Sequence, residues 1–231
     1  MFNASEDLYD LIYSFKDYER EAQEIRNFIS RHKPDAESVL DVACGTGKHL
    51  EFLTKHYAVD GIDLNERFVQ IAAERNPSSN FWVADMTAFD LQKTYDVVMC
   101  LFSSIGYVRT HEAVKQTVKQ FKSHLNDGGI VIVEPWFTPD QWQAGYVSVL
   151  NAERDDVKVC RMSHAEREGN LSVLNFEYLV GTESGIQHFQ ERHELGLFSH
   201  EELLQIFQAS GLNVVFDSKG ISGRGVYICF I

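Results

Sequence analysis

The sequence predicts an α/β fold in which a mostly parallel sheet is covered by helices on both faces and carries an inserted antiparallel β-lobe. Three observations point to this. Between Ser38 and Trp136, short apolar strands alternate with amphipathic helices, the pattern of strands buried on both faces. From Tyr146 to Phe198 the pattern changes to extended segments separated by "ERDD", "REGN" and "GTESG", turn signals close enough together for hairpins. The length, 231 residues, suits one substantial core with an elaboration.

The elements follow in order. From Glu6 to Ser30 the residues Leu8, Ile12, Phe15, Ala22, Ile25 and Ile29 recur at helical steps, so a helix broken near Ser14 is expected. "SVLDVA" is the first strand, "KHLEFLTKHY" a helix and "AVDGIDL" the second strand. "NERFVQIAAERN" is a helix with Asn65 as its N-cap. "NFWVADM" and "YDVVMCLF" are the third and fourth strands. "HEAVKQTVKQFKSHL" is a helix expected to stop at the glycines of "NDGG", and "IVIVEPW" is the fifth strand. After the lobe, "SHEELLQIFQASG" is a helix capped by Ser199, and "LNVVFD" and "RGVYICFI" are the last strands. This divides the chain into a core of residues 1–145 and 199–231 and a lobe of residues 146–198. The lobe is expected over the carboxyl ends of the parallel strands, where open α/β sheets bind ligands.

Composition narrows the partners. The formal net charge is -13, from 21 Lys+Arg against 34 Asp+Glu, which argues against a nucleic-acid surface because phosphate neutralisation needs a basic face. The four cysteines are far apart with no CxxC pair, so neither a zinc knuckle nor a disulfide framework is expected, and no residue is assigned to a metal. Charges run through the first 25 residues, unlike a signal peptide or membrane span. A cytoplasmic protein without a membrane partner is the expectation.

The chemistry gathers at "DVACGTGKHL", Asp41 to Leu50. Gly45 and Gly47 allow a tight turn and close backbone approach to a ligand. Leu50 stands where a dinucleotide loop would place its third glycine, and no phosphate-loop Lys-Ser/Thr pair follows. Asp41 ends the first strand, where a carboxylate would repel a pyrophosphate but accept an ammonium group. Asp63 ends the second strand, placed for ribose hydroxyls. Asp85 ends the third, placed for an adenine amine with Met86 on the ring. Singly each acid is as often a cap or a solvated turn. Three strand-end acids around one glycine loop point to S-adenosylmethionine (SAM), with Ala43 and Leu64 completing the cofactor wall.

This constellation resembles the class I SAM-dependent methyltransferases, which implies a Rossmann-like seven-stranded sheet with one antiparallel strand. "DVACGTGKHLE", "FSSIGY", "VEPW", "SHAEREGN", "HF" with "LF", and "SGRG" together are similar to the N-methyltransferases of deoxyaminosugar biosynthesis. The similarity runs nearly end to end. It implies dimethylation of the amine of a TDP-linked 3-amino-3,6-dideoxyhexose, closure of the site by the N-terminal segment, and a homodimer as a candidate assembly. Tyr13 is then the substrate-side contact of that segment, and Lys16 reaches the SAM carboxylate. Leu101 lies at the cofactor.

Acceptor contacts are expected from two further stretches. "FSSIGYV" follows the fourth strand, where Ser103, Ser104 and Tyr107 offer hydroxyls. Some relatives carry histidine where this chain has Tyr107; a phenol, with a reference pKa near 10, is a poor base at neutral pH. Tyr107 is therefore given a positioning role. Glu134 is expected at the sugar or its ammonium group and Trp136 beside it. Arg224, between the glycines of "SGRG", is expected at the diphosphate with Ser222, against the alternative of a solvated turn arginine. His188 and His193, in one extended segment, are expected to be strand histidines satisfied by neighbours. Two other functions stay open at this point: a SAM methyltransferase with another small acceptor, and a binding module that has lost SAM.

Overall fold

A computed structural model of the chain describes residues 5–231. Positions 1–4, which the sequence expectation included in the core, lie outside the described residues. The helices are α1 (Tyr9–Ile12), α2 (Tyr18–His32), α3 (Leu50–Leu53), α4 (Glu66–Arg75), α5 (His111–Ser123) and α6 (His200–Ala209). The strands are β1 (Ser38–Val42), β2 (Ala58–Asp63), β3 (Phe81–Val83), β4 (Tyr95–Cys100), β5 (Leu125–Val133), β6 (Val147–Arg154), β7 (Val157–Glu168), β8 (Leu171–Thr182), β9 (Gly185–Gly196), β10 (Asn213–Asp217) and β11 (Val226–Phe230).

Seven strands form one sheet in the order β10-β11-β5-β4-β1-β2-β3. The five strands from β1 to β5 run parallel, and β11 is antiparallel to both β5 and β10. Strand alternation sorts the core. Val39, Val97, Met99, Ile130 and Ile132 face α2 and α3, meeting Ala22, Ile25, Leu50 and Leu53. Leu40, Val42, Val98, Cys100, Val131 and Val133 face α5 and α6, meeting Val114, Phe121, Ile206 and Phe207. Each fully buried aliphatic side chain of this kind contributes roughly 1.5–3 kcal/mol.

The helix break expected near Ser14 is present. Tyr13 caps α1, and the Asp17 side chain accepts the Arg20 N–H at 2.9 Å to start α2. The short α1 belongs to the other sheet: Leu11 and Ile12 pack with Val159, Phe176, Tyr178 and Val180. Two expected boundaries move. The helix after the glycine loop is a single turn, because the N–H groups of His56 and Tyr57 both return to the Leu53 carbonyl and steer the chain into β2. The "NDGG" glycines do not stop α5. That helix ends at Ser123, where the His124 ring donates to the Gln120 carbonyl, accepts the Leu91 N–H and stacks on Phe89 at 4.3 Å. The glycines lie inside β5, at a bulge where the pairing jumps from Tyr95–Leu125 to Val97–Ile130 and Gly128 takes a φ of 68°.

Strands β6 to β9 form a four-stranded antiparallel meander. Its turns fall at the three expected motifs, with Asp155 and Gly169 in the left-handed region. Ser199 then starts α6 with a complete capping box: its hydroxyl accepts the Glu202 N–H while the Glu202 carboxylate accepts the Ser199 N–H. Ser199→Ala removes one half of this box and is expected to cost about 1 kcal/mol. Thermal unfolding should register this as a drop of about 2–4 °C for a chain of this size.

Candidate active site

The loops after β1, β2, β3 and β4 meet at the carboxyl edge of the sheet around a cavity of about 360 Å³, within the size range of small-molecule sites. The glycine loop is held by backbone bonds, the Cys44 N–H donating to the Ile62 carbonyl of β2 at 3.0 Å and the Gly47 N–H to the Cys44 carbonyl at 3.1 Å. Ala43, Gly45 and Gly47 all have φ near 60–70°, a region costly for residues other than glycine. A Cβ on Gly47 would lie 2.7 Å from Asn76 Nδ2, so this glycine serves loop packing on α4. A Cβ on Gly45 would meet nothing within 4 Å, because Gly45 borders the cavity.

Asp63 accepts the Gly45 N–H at 2.8 Å and the Asn65 N–H at 2.9 Å, so one carboxylate spans the first two loops. Burial pushes its pKa up, against the pull of those N–H groups. Asp85 accepts the N–H and hydroxyl of Thr87, both at 2.8 Å, and borders the cavity with Leu64, Met86 and Ala43. Asp41 is 2% exposed and lies behind the cavity lining, and among the described residues its Oδ1 has no hydrogen-bond partner. Burial, with the charge of Asp63 in second place, drives its pKa well above the usual carboxylate range. An orphaned carboxyl oxygen beneath the glycine loop, an open cradle at Gly45 and an acid at the end of β2 fit a ligand that carries an ammonium group and ribose hydroxyls.

The acceptor side is built by the loop after β4. Phe102 and Ser103 have φ of 51° and 63° in succession, backbone strain concentrated at the cavity rim. Ser104, Tyr107 and Trp136 border the cavity together with Tyr9 and Tyr13 of the N-terminal segment. The Trp136 indole donates to Ser172 of β8 at 2.8 Å, fixing its plane. Tyr13 lies edge-on to Phe102 with centroids 5.3 Å apart, and its hydroxyl accepts from Arg161 at 3.3 Å.

Several expected residues sit elsewhere. Glu134 is buried outside the cavity lining; its carboxylate accepts the Phe102 N–H at 2.7 Å and the Ser222 hydroxyl. Its expected place at the sugar amine is therefore corrected: both oxygens are engaged in joining the loop after β4 to the "SGRG" turn. The same bond occupies the hydroxyl of Ser222, which is otherwise exposed. Ser103 is fully buried and donates to the Pro135 carbonyl at 2.6 Å, so its hydroxyl supports the loop rather than the acceptor. Leu101 is core beneath the loop. Lys16 pairs with Glu21 at 2.8 Å and lies 4.0 Å from the Phe102 centroid, which anchors the N-terminal segment instead of projecting into the cavity.

Arg224 is half-buried beside this loop. Its guanidinium lies 5.7–5.9 Å from the ring centroids of Phe102, Trp136 and Phe137. Its Nε is buried without a partner, and among the described residues no carboxylate forms an ion pair with it. One histidine expected only to be satisfied by neighbours within its strand also reaches the cavity. His193 of β9 is 1% exposed, borders the cavity and lies 2.7 Å from the Tyr107 hydroxyl. The available signal was the period of two in "ERHELG": Glu191, His193 and Leu195 share the inward face.

A seven-stranded sheet with this strand order and a SAM-shaped carboxyl edge define a class I SAM-dependent methyltransferase. A family profile described as "Methyltransferase domain" matches residues 39–129. The dTDP-3-amino-3,6-dideoxy-alpha-D-glucopyranose N,N-dimethyltransferase of Streptomyces fradiae is 39% identical over 96% of this chain and 88% of its own. The crystal structure of DesVI from Streptomyces venezuelae superposes with a TM-score of 0.92 at 38% identity, covering 99% of each chain. SAM-bound CalS10, an amino pentose methyltransferase from Micromonospora echinaspora, superposes with a TM-score of 0.88 at 31% identity, covering 100% of this chain and 97% of that one. The chain belongs to the family of these SAM-dependent sugar N-methyltransferases.

The state of Asp41 gives a test of cofactor fit. A carboxyl whose pKa is raised on folding destabilises the folded chain as pH climbs above the unfolded value, about 4, and has no such effect below it. Asp41→Asn should therefore raise the melting temperature of the ligand-free protein at pH 7–8, with the gain vanishing near pH 4. The same variant should bind SAM about 10–100-fold more weakly by calorimetry, the loss of a charge-assisted hydrogen bond.

Proposed function

We propose that this protein dimethylates the amino group of a TDP-linked 3-amino-3,6-dideoxyhexose. The observation that carries the acceptor assignment is Arg224: a half-buried guanidinium without a carboxylate partner among the described residues, set against Phe102 and Trp136, which line the cavity, and Phe137. A planar fork of N–H donors held this way suits a diphosphate, which it can meet bidentately. The named activity of the Streptomyces fradiae relative supports the same acceptor class. In this proposal the division of the chain into residues 1–145 with 199–231 and residues 146–198 separates cofactor binding from a lobe that completes the acceptor site.

When bound, SAM would supply an electrophilic methyl group on its sulfonium sulfur, for in-line attack at the methyl carbon by a neutral amine with the sulfur leaving as a neutral thioether. Asp63 takes the ribose hydroxyls, Asp41 the ammonium group, and Asp85 with Met86 the adenine. Ser104 and Tyr107 orient the amino sugar, Trp136 forms the wall beneath it, and Tyr13 covers it from the N-terminal segment. Glu134 acts at one remove, holding the loop after β4 and the Arg224 turn in one arrangement through its bonds to Phe102 and Ser222. Orientation of this kind supplies several kcal/mol of the barrier reduction. Burial raises the pKa of Tyr107 well above that of a free phenol, with Tyr13 adding to the effect, so the side chain is present as a hydroxyl and orients its partner by hydrogen bonding.

We place the enzyme in the cytoplasm; among the described residues no helix is long and apolar enough to cross a membrane. A homodimer through the outer face of the four-stranded sheet is part of the proposal, supported by the exposed Val147, Val149, Met162 and Leu179.

Mass spectrometry of products from a panel of TDP-aminosugars with SAM should show a gain of two methyl groups on the 3-amino-3,6-dideoxy sugar. Products from free aminosugars alone would refute the nucleotide requirement. Arg224→Ala should raise the acceptor KM at least tenfold while leaving SAM affinity within twofold; unchanged acceptor kinetics would remove Arg224 from the diphosphate site.

A further inference from the structure

We propose that Tyr107, His193 and Glu191 form a proton relay that takes the proton from the acceptor's ammonium group and holds it on His193 Nδ1. The inference rests on the amine acceptor proposed above and adds where its proton goes.

The geometry fixes the direction of the relay. The Tyr107 hydroxyl and His193 Nδ1 are 2.7 Å apart, and Nε2 on the other side of the ring lies 3.4 Å from a Glu191 oxygen. With both its oxygens accepting from Ser5, Glu191 is assigned as a carboxylate, which can only accept; in the proposed tautomer Nε2 therefore carries the hydrogen and Nδ1 presents a lone pair to the tyrosine O–H. Glu191 is itself set by Ser5, whose N–H and hydroxyl donate to its two oxygens at 3.0 and 2.8 Å. Phe176 of β8 packs edge-on against the imidazole at 5.0 Å. The three polar groups thus run in a line from the cavity into the space between the N-terminal segment and β9, with Tyr107 and His193 both at the cavity wall.

A lone phenol would be a poor base here, because burial opposes the phenolate. The relay avoids that ion. One N–H bond of the acceptor ammonium breaks, and its electron pair stays on the nitrogen as the nucleophilic lone pair. The proton joins the Tyr107 oxygen as the proton already there moves to Nδ1. No phenolate forms at any point, and the charge that leaves the acceptor settles on an imidazolium facing a carboxylate. Desolvation lowers the pKa of His193, so the imidazole rests neutral, and the facing Glu191 partly offsets the cost of charging it. Among the described residues, the charged and titratable groups around the relay are Glu191 on β9, Arg161 on β7, Tyr178 on β8, Tyr9 and Tyr13 on the N-terminal segment and Asp63 at the end of β2. Arg161 opposes protonation of the imidazole and Glu191 favours it. Each of the two methylations needs one such deprotonation, and between turnovers the proton returns by the same path to water admitted to the cavity.

Two measurements test this. The first needs no substrate. Nitrogen-15 NMR of histidine-labelled protein should show His193 at pH 7 as the neutral tautomer with hydrogen on Nε2, with a shift of the Nδ1 resonance in Tyr107→Phe. A hydrogen on Nδ1 would overturn the relay. The second uses His193→Gln, whose amide oxygen can still accept from Tyr107 but cannot take up its proton, beside Tyr107→Phe. With SAM and the TDP-aminosugar that wild type methylates, kcat at pH 7 should fall at least tenfold in both variants, with acceptor KM within about twofold. The deficit should close as pH rises past the acceptor's own pKa, where the amine arrives neutral. Loss that is equal at every pH, or that lies in KM, would show a structural role and overturn the proposal; so would wild-type kcat. If wild type methylates no aminosugar, the function proposed above fails while the tautomer measurement still decides the hydrogen-bond arrangement. Near-ultraviolet circular dichroism identifies any variant that fails to fold, and Glu191→Gln then takes its place in the kinetic comparison under the same criteria.

Discussion

The parallel register of β1 between β2 and β4 is the constraint on which the site depends. Asp41 pairs across to Gly61 and Met99, and Val42 to Ile62. With those pairings set, the glycine loop, Asp63 and the strained Phe102–Ser103 turn must emerge side by side at one edge. The absence of a Cβ at Gly61 is part of this register, since one would lie 2.8 Å from Phe81 and 2.9 Å from Cys44. Burial of alternating side chains on both faces then makes a slip of one residue prohibitive, because it would exchange the two cores.

A second organising feature is the use of buried carboxylates as fasteners between segments distant in sequence. Asp63 joins the first two loops, Glu134 joins the loop after β4 to the Arg224 turn, and Glu191 joins β9 to Ser5. Each accepts backbone N–H or hydroxyl donors, so the negative charge is dispersed over several bonds. Asp41 is the exception, buried with an oxygen left unbonded. Three carboxyl groups thus tie segments together, while Asp41, beneath the glycine loop, keeps an oxygen without a partner among the described residues.

Much of this was legible in the residues. The alternation of apolar strands and amphipathic helices, the Asn65 and Ser199 caps and the three hairpin motifs all express local rules of periodicity and turn chemistry. The strand-end acids were legible as a set because strand ends converge in a parallel sheet. Less visible was what each polar side chain would spend its hydrogen bonds on. Glu134 and Ser103 lie in motifs that adjoin the cavity, and nothing local distinguishes a carboxylate aimed at a ligand from one that ties two loops. The "NDGG" glycines read as a helix stop because glycine serves both C-caps and bulges, and the choice depends on β4 alongside. The place of His193 at the cavity was not legible because its partner, Tyr107, lies 86 residues away, a separation that only the packing of β9 against the loop after β4 brings to 2.7 Å.

The unpaired Arg224 has a consequence for how an anionic acceptor reaches the cavity. The chain as a whole carries a formal charge of -13, so in the proposed reaction a diphosphate would approach against a repulsive field and meet the Arg224 guanidinium only at contact range. Attraction to Arg224 acts within a few ångströms, among aromatic rings that exclude water, whereas the repulsion acts across the Debye length of about 8–10 Å. Added salt therefore screens the opposing field more than the favourable contact, and association of the acceptor accelerates with ionic strength, the reverse of a substrate steered by opposite charge.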